Sequence, residues 1–272
     1  MKQVVISGSF DNLQSREMRF LDQASQLGDV TALVWPDETV QAVTGQAPRF
    51  PLEERLYFLQ GIRYVRRALP VANWRDPDEL PHMVGLDPDV WVVDEHSATS
   101  DKRLYCASFG LGYQVIREQE LAGWPELPEP PASANGRKKV IVTGCFDWLH
   151  SGHVRFFEEV SAYGKLYVAI GHDENLRLLK GPGHPQFPQD ERRYMVQAIR
   201  YVYRALVTSG SGWMDAAPEI ERLKPDIYAV NEDGDKPEKR AFCAEHGLEY
   251  LVLKRLPKPG LPARQSTDLR GF

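Results

Sequence analysis

Short apolar runs alternate along this chain with longer stretches whose apolar residues recur three and four positions apart, the respective periods of buried strands and amphipathic helices. In the C-terminal half, Val140 to Thr143 is a β-branched run, Gly152 to Tyr163 has helical spacing, and Leu166 to Ile170 is a second strand-like run. Helical spacing returns from Gln189 to Tyr201, and Ile227 to Val230 and Tyr250 to Leu253 read as further strands, the former after Lys224-Pro225-Asp226. Strands separated by helices predict an α/β fold with a doubly wound parallel sheet. Ligands of such sheets bind beyond the carboxyl ends of the strands, which points to Gly144 to His153 and to Gly171, His172 and Asp173.

The pattern occurs twice. Val5-Ile6-Ser7-Gly8-Ser9-Phe10-Asp11-Asn12-Leu13 matches Ile141-Val142-Thr143-Gly144-Cys145-Phe146-Asp147-Trp148-Leu149, and Asp37-Glu38 falls on Asp173-Glu174. One inserted residue shifts the register. Glu54-Arg55 then matches Glu191-Arg192, Ile62-Arg63-Tyr64-Val65 matches Ile199-Arg200-Tyr201-Val202, and Cys106 and Gly110 match Cys243 and Gly247. Conserved order from Val5 to Gly110 implies a duplication. The proline-rich stretch 124–136 is the expected stiff connector, so the expected domains are 1–123 and 137–272, both Rossmann-like.

Composition narrows the chemistry. With 272 residues, 42% of them hydrophobic and 26% charged, the chain can bury two cores. A net charge of -5 argues against a nucleic-acid binder, so any phosphate site must be local. Cys106, Cys145 and Cys243 lack CxxC spacing, which fits neither a disulfide framework nor a zinc ribbon and favours a reducing cytoplasm. The apolar run before Asp11 is too short for a signal segment and no later run approaches a membrane span, so a soluble protein is expected.

Gly144-Cys145-Phe146-Asp147-Trp148-Leu149-His150-Ser151-Gly152-His153 joins the first strand of the second copy to its first helix. That is a phosphate position, because a new helix presents unpaired N–H groups and Gly152 lets backbone approach a ligand. His150 and His153 share one helical face and can donate to charge growing on phosphorus. The HxxH spacing alone equally describes two surface histidines at a helix start, or part of a zinc site completed by His172 and His184.

The whole stretch resembles the GxFDxxHxGH signature of the cytidylyltransferase family within the HxGH nucleotidylyltransferase superfamily, and the similarity extends through Lys180-Gly181-Pro182, Glu191-Arg192 and Ser266-Thr267-Asp268-Leu269. The resemblance implies two tandem nucleotidylyltransferase folds, with His150, His153 and Lys180 as catalytic residues. It implies nucleotide contacts from Gly144, Cys145, Phe146, Asp147 and Gly152, from Gly171, His172 and Asp173, and from Trp213, Arg264, Ser266 and Thr267. Taken alone, Lys180 is also a plausible solvated loop lysine, Ser266 and Thr267 a plain helix cap, and Trp213 a core residue. The implied reaction takes CTP, with ATP as the alternative, and Mg²⁺ to a phosphorylated alcohol, alditol or sugar; a non-catalytic nucleotide-binding scaffold is the other class.

Two departures stand out. Relatives carry an arginine several residues before the Ser-Thr pair, where this chain has Leu261, leaving Arg264 or Arg270 as substitutes. The first copy has Gln14-Ser15-Arg16-Glu17 in place of His150-Ser151-Gly152-His153, so it is expected to be catalytically silent. Its intact Ile62-Arg63-Tyr64-Val65 matches the family's homodimer segment, which implies an intrachain pseudo-dimer of the two repeats.

Overall fold

The computed structural model describes residues 1–72, 74, 76–127 and 136–266. The chain divides into two compact units, Met1–Gly123 and Trp124–Phe272. In the first, β1 (Gln3–Gly8), α1 (Ser15–Leu27), β2 (Asp29–Val34), α2 (Asp37–Thr44), α3 (Leu52–Gln60), β3 (Arg67–Pro70), β4 (Val90–Asp94), α4 (Ser100–Phe109) and β5 (Gly112–Ile116) follow in order. Its parallel strands lie β3-β2-β1-β4-β5. This is the doubly wound arrangement, with the winding reversing between β1 and β4.

The second unit repeats it with β6 (Lys139–Gly144), α5 (Ser151–Ser161), β7 (Lys165–Ile170), α6 (Asp173–Lys180), α7 (Gln189–Gln197), β8 (Val202–Val207), α8 (Ala217–Leu223), β9 (Ile227–Asn231), α9 (Pro237–Glu245) and β10 (Glu249–Leu253). The strand order, β10-β9-β6-β7-β8, is the same one read from the other edge, and the reversal falls between β6 and β9. Val140, Ile141 and Val142 are fully buried, as a central strand covered on both faces requires. On α5 the buried Val154, Phe157 and Val160 face the sheet at helical spacing. Phe157→Ala would cost about 3–5 kcal/mol there.

Two features depart from the pattern. The spacing over Gln189 to Tyr201 predicts one helix, but α7 ends at Gln197 and the chain turns into β8, a strand the pattern does not predict. The Gln197 side chain stops the helix by accepting the Ala205 N–H at 2.7 Å, while Ile199 and Val202 take tight-turn bonds to Val196 and Ile199. Helices α6, α8 and α9 are short and likewise fall below the pattern's reach. Of the connector 124–136, residues 128–135 lie outside the described residues. No described helix is long and apolar enough to cross a membrane.

Candidate active site

A cavity of about 270 Å³ opens at the reversal point of the second unit, between the ends of β6 and β9. One wall is the loop from Gly144 through Cys145, Phe146 and Asp147 to His150, Gly152 and His153; Lys180 and His184 stand on one flank, Asn231, Lys239, Arg255 and Ser266 on the other.

The loop is held in shape by backbone and by buried charge. Phe146 adopts a left-handed conformation (φ 53°), and a Cβ on Gly144 would lie 2.7 Å from the Phe146 ring, so glycine is required before it. Arg192, fully buried on α7, donates to the carbonyls of Cys145 (2.8 Å), Gly171 (2.9 Å) and Phe187 (2.9 Å) and pairs with Asp173 at 2.7 Å. One guanidinium thus ties the β6 loop, the β7 turn and the entry to α7 together. Asp147 accepts the Gln186 and Phe187 N–H groups at 2.9 and 3.0 Å, closing the loop from the other side.

His150 is the cap residue of α5, and its Nδ1 accepts the Gly152 N–H at 3.1 Å. A Cβ on Gly152 would lie 2.9 Å from the His150 ring, which is why glycine stands between the histidines. The two imidazoles stack with centroids 3.9 Å apart, and Phe146 meets His153 edge-on at 5.2 Å. Burial, then the nearby Arg255 and Arg264 charges, push His150 down to about 3. Burial, then His150, Arg255 and Lys180, hold His153 well below its ordinary value. Both rings are therefore neutral at neutral pH. With Nδ1 accepting, the His150 proton resides on Nε2, and that buried nitrogen has no hydrogen-bond partner among the described residues, nor does His153 Nδ1. Buried polar atoms of this kind mark a place where a ligand or water can bind.

The remaining expected residues separate. Lys180 lines the cavity but is the exposed last residue of α6, not a loop lysine; there its charge also suits the helix dipole. Ser266 lines the cavity with Oγ 3.4 Å from the Trp148 carbonyl. Gly171, His172 and Asp173 are not among the described residues that line this cavity. His172 spends both ring nitrogens on backbone, accepting from Asn175 N–H (3.3 Å) and donating to the Gly210 carbonyl (2.8 Å), and Asp173 is committed to Arg192. Trp213 is 54% exposed in the short turn Gly212–Met214, so it belongs to neither the core nor the cavity. Arg264 lines an adjoining cavity of about 180 Å³. Thr267 and Arg270 lie outside the described residues.

Three functional candidates receive no role in the sequence reading. Arg192 is named there in the repeat and in the resemblance, but a buried structural arginine looks like any helix residue. Arg255, two residues past β10, supplies the cavity guanidinium; it pairs with Asp233 and donates to the Arg264 carbonyl at 3.2 Å. A fixed distance before Ser266 leads to Leu261 instead, because the segment between β10 and Ser266 is long. Lys239, on α9, lacks any motif.

Residues 141–253 match the family described as cytidylyltransferase-like. An FAD synthase of Ferroglobus placidus is 37% identical over 127 residues, 46% of this chain and 72% of that protein. An FAD synthase of Methanosarcina mazei is 33% identical over 135 residues, covering 49% and 78%. The bifunctional protein HldE of Alcanivorax borkumensis is 30% identical over 166 residues, 58% of this chain, and the chain spans 32% of that longer protein. With these relatives, and with the glycine and histidine signature wrapped around a cavity at the sheet's reversal point, the chain belongs to the cytidylyltransferase-like family of nucleotidyltransferases.

Proposed function

We propose that the second unit transfers a nucleotidyl group, CMP from CTP, to a phosphorylated small molecule and releases pyrophosphate. The observation that carries this reading is the stacked, neutral pair His150 and His153, with unpartnered nitrogens on a cavity that also holds Lys180 and Arg255. An acceptor phosphate oxygen attacks the α-phosphorus in line, a new P–O bond forms, and the bond to the β-phosphate breaks as pyrophosphate leaves. The imidazole N–H groups donate to the non-bridging oxygens as charge grows, while Lys180 and Arg255 balance the departing pyrophosphate. No covalent intermediate is required.

Mg²⁺ would enter with the triphosphate. Among the described residues no cluster of His, Cys, Asp and Glu forms a metal site, and the cavity carboxylates are engaged, Asp147 by backbone N–H groups and Asp233 by Arg255. Charge neutralisation by the protein therefore falls to its cations. CTP follows from the family resemblance; the FAD synthase relatives make ATP the second nucleotide to test. Pyrophosphate release, measured with each nucleoside triphosphate against phosphorylated alcohols, alditols, sugars and flavins, tests the reading. Nucleotide binding without release from any pair would favour a non-catalytic scaffold. Three free cysteines accord with a reducing, cytoplasmic setting.

The repeated Ile-Arg-Tyr-Val segments support a second part of the reading, that the first repeat serves the second as a tethered pseudo-dimer partner. A fragment 137–272 that is monomeric and fully active would overturn that part.

A further inference from the structure

Lys239 and Lys102 occupy the same place in the two units. Each lies on the helix after the fourth strand of its unit, with its ammonium over the aromatic residue at that strand's second position: Lys239 5.9 Å from the Tyr228 ring centroid, Lys102 5.8 Å from that of Trp91. Their charges are satisfied differently. Lys102 is buried and bonds Asp78 at 2.7 Å. Asp215, which takes the position of Asp78 in the second unit, accepts from Thr208 Oγ1 at 2.8 Å instead. Val71 stands where Thr208 does and has no hydroxyl to offer. Lys239 therefore has no carboxylate within ion-pair distance among the described residues; it donates to the Gly234 carbonyl at 3.1 Å, and the nearby Asp233 and Asp235 pair with Arg255 and Arg240.

A half-buried ammonium with one of three N–H groups engaged, on the wall of a ligand cavity, is placed to bind. Lys239 belongs to α9 and bonds the Gly234 carbonyl past the end of β9, whereas the histidines belong to the loop and helix after β6. Beside it the cavity wall is strand end and turn: Ala229, Val230, Asn231 and Gly234.

We propose that Lys239 is a nucleotide-binding residue that donates to an uncharged oxygen of the nucleoside, a base carbonyl or a ribose hydroxyl, and so helps select the nucleotide. This rests on the reading of the cavity as a nucleotide site. Calorimetric titration of the full chain with CTP, ATP, 2′-deoxy-CTP and pyrophosphate tests it in the wild type, Lys239→Gln and Lys102→Met. Lys239→Gln is expected to weaken CTP binding about tenfold or more with pyrophosphate binding unchanged. A loss confined to CTP assigns the base carbonyl; equal losses with CTP and ATP, and a smaller one with 2′-deoxy-CTP, assign the ribose. Lys102→Met is expected to lower the melting temperature, leaving Asp78 without its cation, without altering nucleotide binding. Wild-type affinity for every nucleotide in Lys239→Gln overturns the inference, as does an equal loss of pyrophosphate binding. If the wild type itself binds no nucleotide, the cavity reading fails first.

Discussion

Around the end of the central strand the two units keep the same backbone and carry opposite charges. Phe10 repeats the left-handed turn of Phe146, with φ 49° against 53°. Asp11 accepts the Arg49 and Phe50 N–H groups as Asp147 accepts those of Gln186 and Phe187. Arg55 reaches the carbonyls of Ser9, Trp35 and Phe50 and the Asp37 carboxylate, matching Arg192. The facing side chains diverge. Arg16 replaces Gly152, Asp94 replaces Asn231 and Glu118 replaces Arg255, and the Arg16 guanidinium bonds Asp94 at 2.8 Å and Glu118 at 2.6 Å. Where the second unit offers donors to an anion, the first has closed an ion-pair cluster on itself. The two units thus share the loop scaffold and differ in the few side chains that face its end.

The sharpest way to break this comparison is at the histidines. His150→Ala or His153→Ala should each reduce turnover about a hundredfold or more, as loss of a transition-state donor does, while Gln14→Ala and Glu17→Ala leave it unchanged. Pyrophosphate-release rates decide this; a His153→Ala enzyme of near-normal rate would remove the assigned chemistry. Next in size, Arg255→Leu should cut kcat/KM roughly 10- to 100-fold by removing a charge-assisted contact, and Glu118→Leu should leave it unaltered. Lys180→Ala should lower the rate less, with an unchanged melting curve, because its side chain is exposed.

The scaffold itself predicts symmetry. Asp11→Ala and Asp147→Ala each leave two backbone N–H groups without their carboxylate, so each should destabilise its own unit by about 1.5–3 kcal/mol. Only Asp147→Ala should also reduce turnover. Thermal melts and initial rates of the two variants check both statements, and an effect of Asp11→Ala on rate would mean that the units are not chemically independent.

The repeat and the glycine-histidine signature were legible because each is a run of adjacent residues with fixed spacing. Less was legible where one residue type serves two purposes. His172 and Asp173 sit at a helix start after a strand, where a cap and a ligand look alike in sequence; only their bonds to Asn175, Gly210 and Arg192 tell them apart. Lys180 before Gly181-Pro182-Gly183 has the spacing of a loop, yet the helix runs through it and stops at Gly181. The charge inversion in the first unit involves residues 78 and 102 positions apart, so no local pattern displays it. Strand β8 was hidden because the buried Ala198 and Ile199 continue the helical period of α7 after its backbone has already turned.

The smallest expected effect separates the units by pH. His150 titrates near 6.5 in an unfolded chain and at about 3 when folded, because burial disfavours its charged form. The unfolded state therefore binds the proton first as pH falls, and the second unit's stability, fully present above about 6.5, declines from there toward 3. Between pH 7 and 6 the loss from this group is roughly 0.7 kcal/mol. The first unit has Gln14 and Glu17 at those positions and escapes this loss. Its Asp94 acts in the same direction but in a lower window: burial raises it, but hydrogen bonds from Ser97 and Arg16 prevail and hold the carboxyl below its ordinary value. That contribution is present above the unfolded carboxylate pKa of about 3.9 and disappears only as pH falls through the lowered folded value. Amide hydrogen exchange followed separately in the two units should show α5 losing protection in mild acid while α1 retains it. His150→Gln should lessen the mild-acid dependence of α5, with the remainder coming from His153, which burial also holds well below its ordinary value, and a profile that stays as steep in that variant would assign the acid sensitivity to another group.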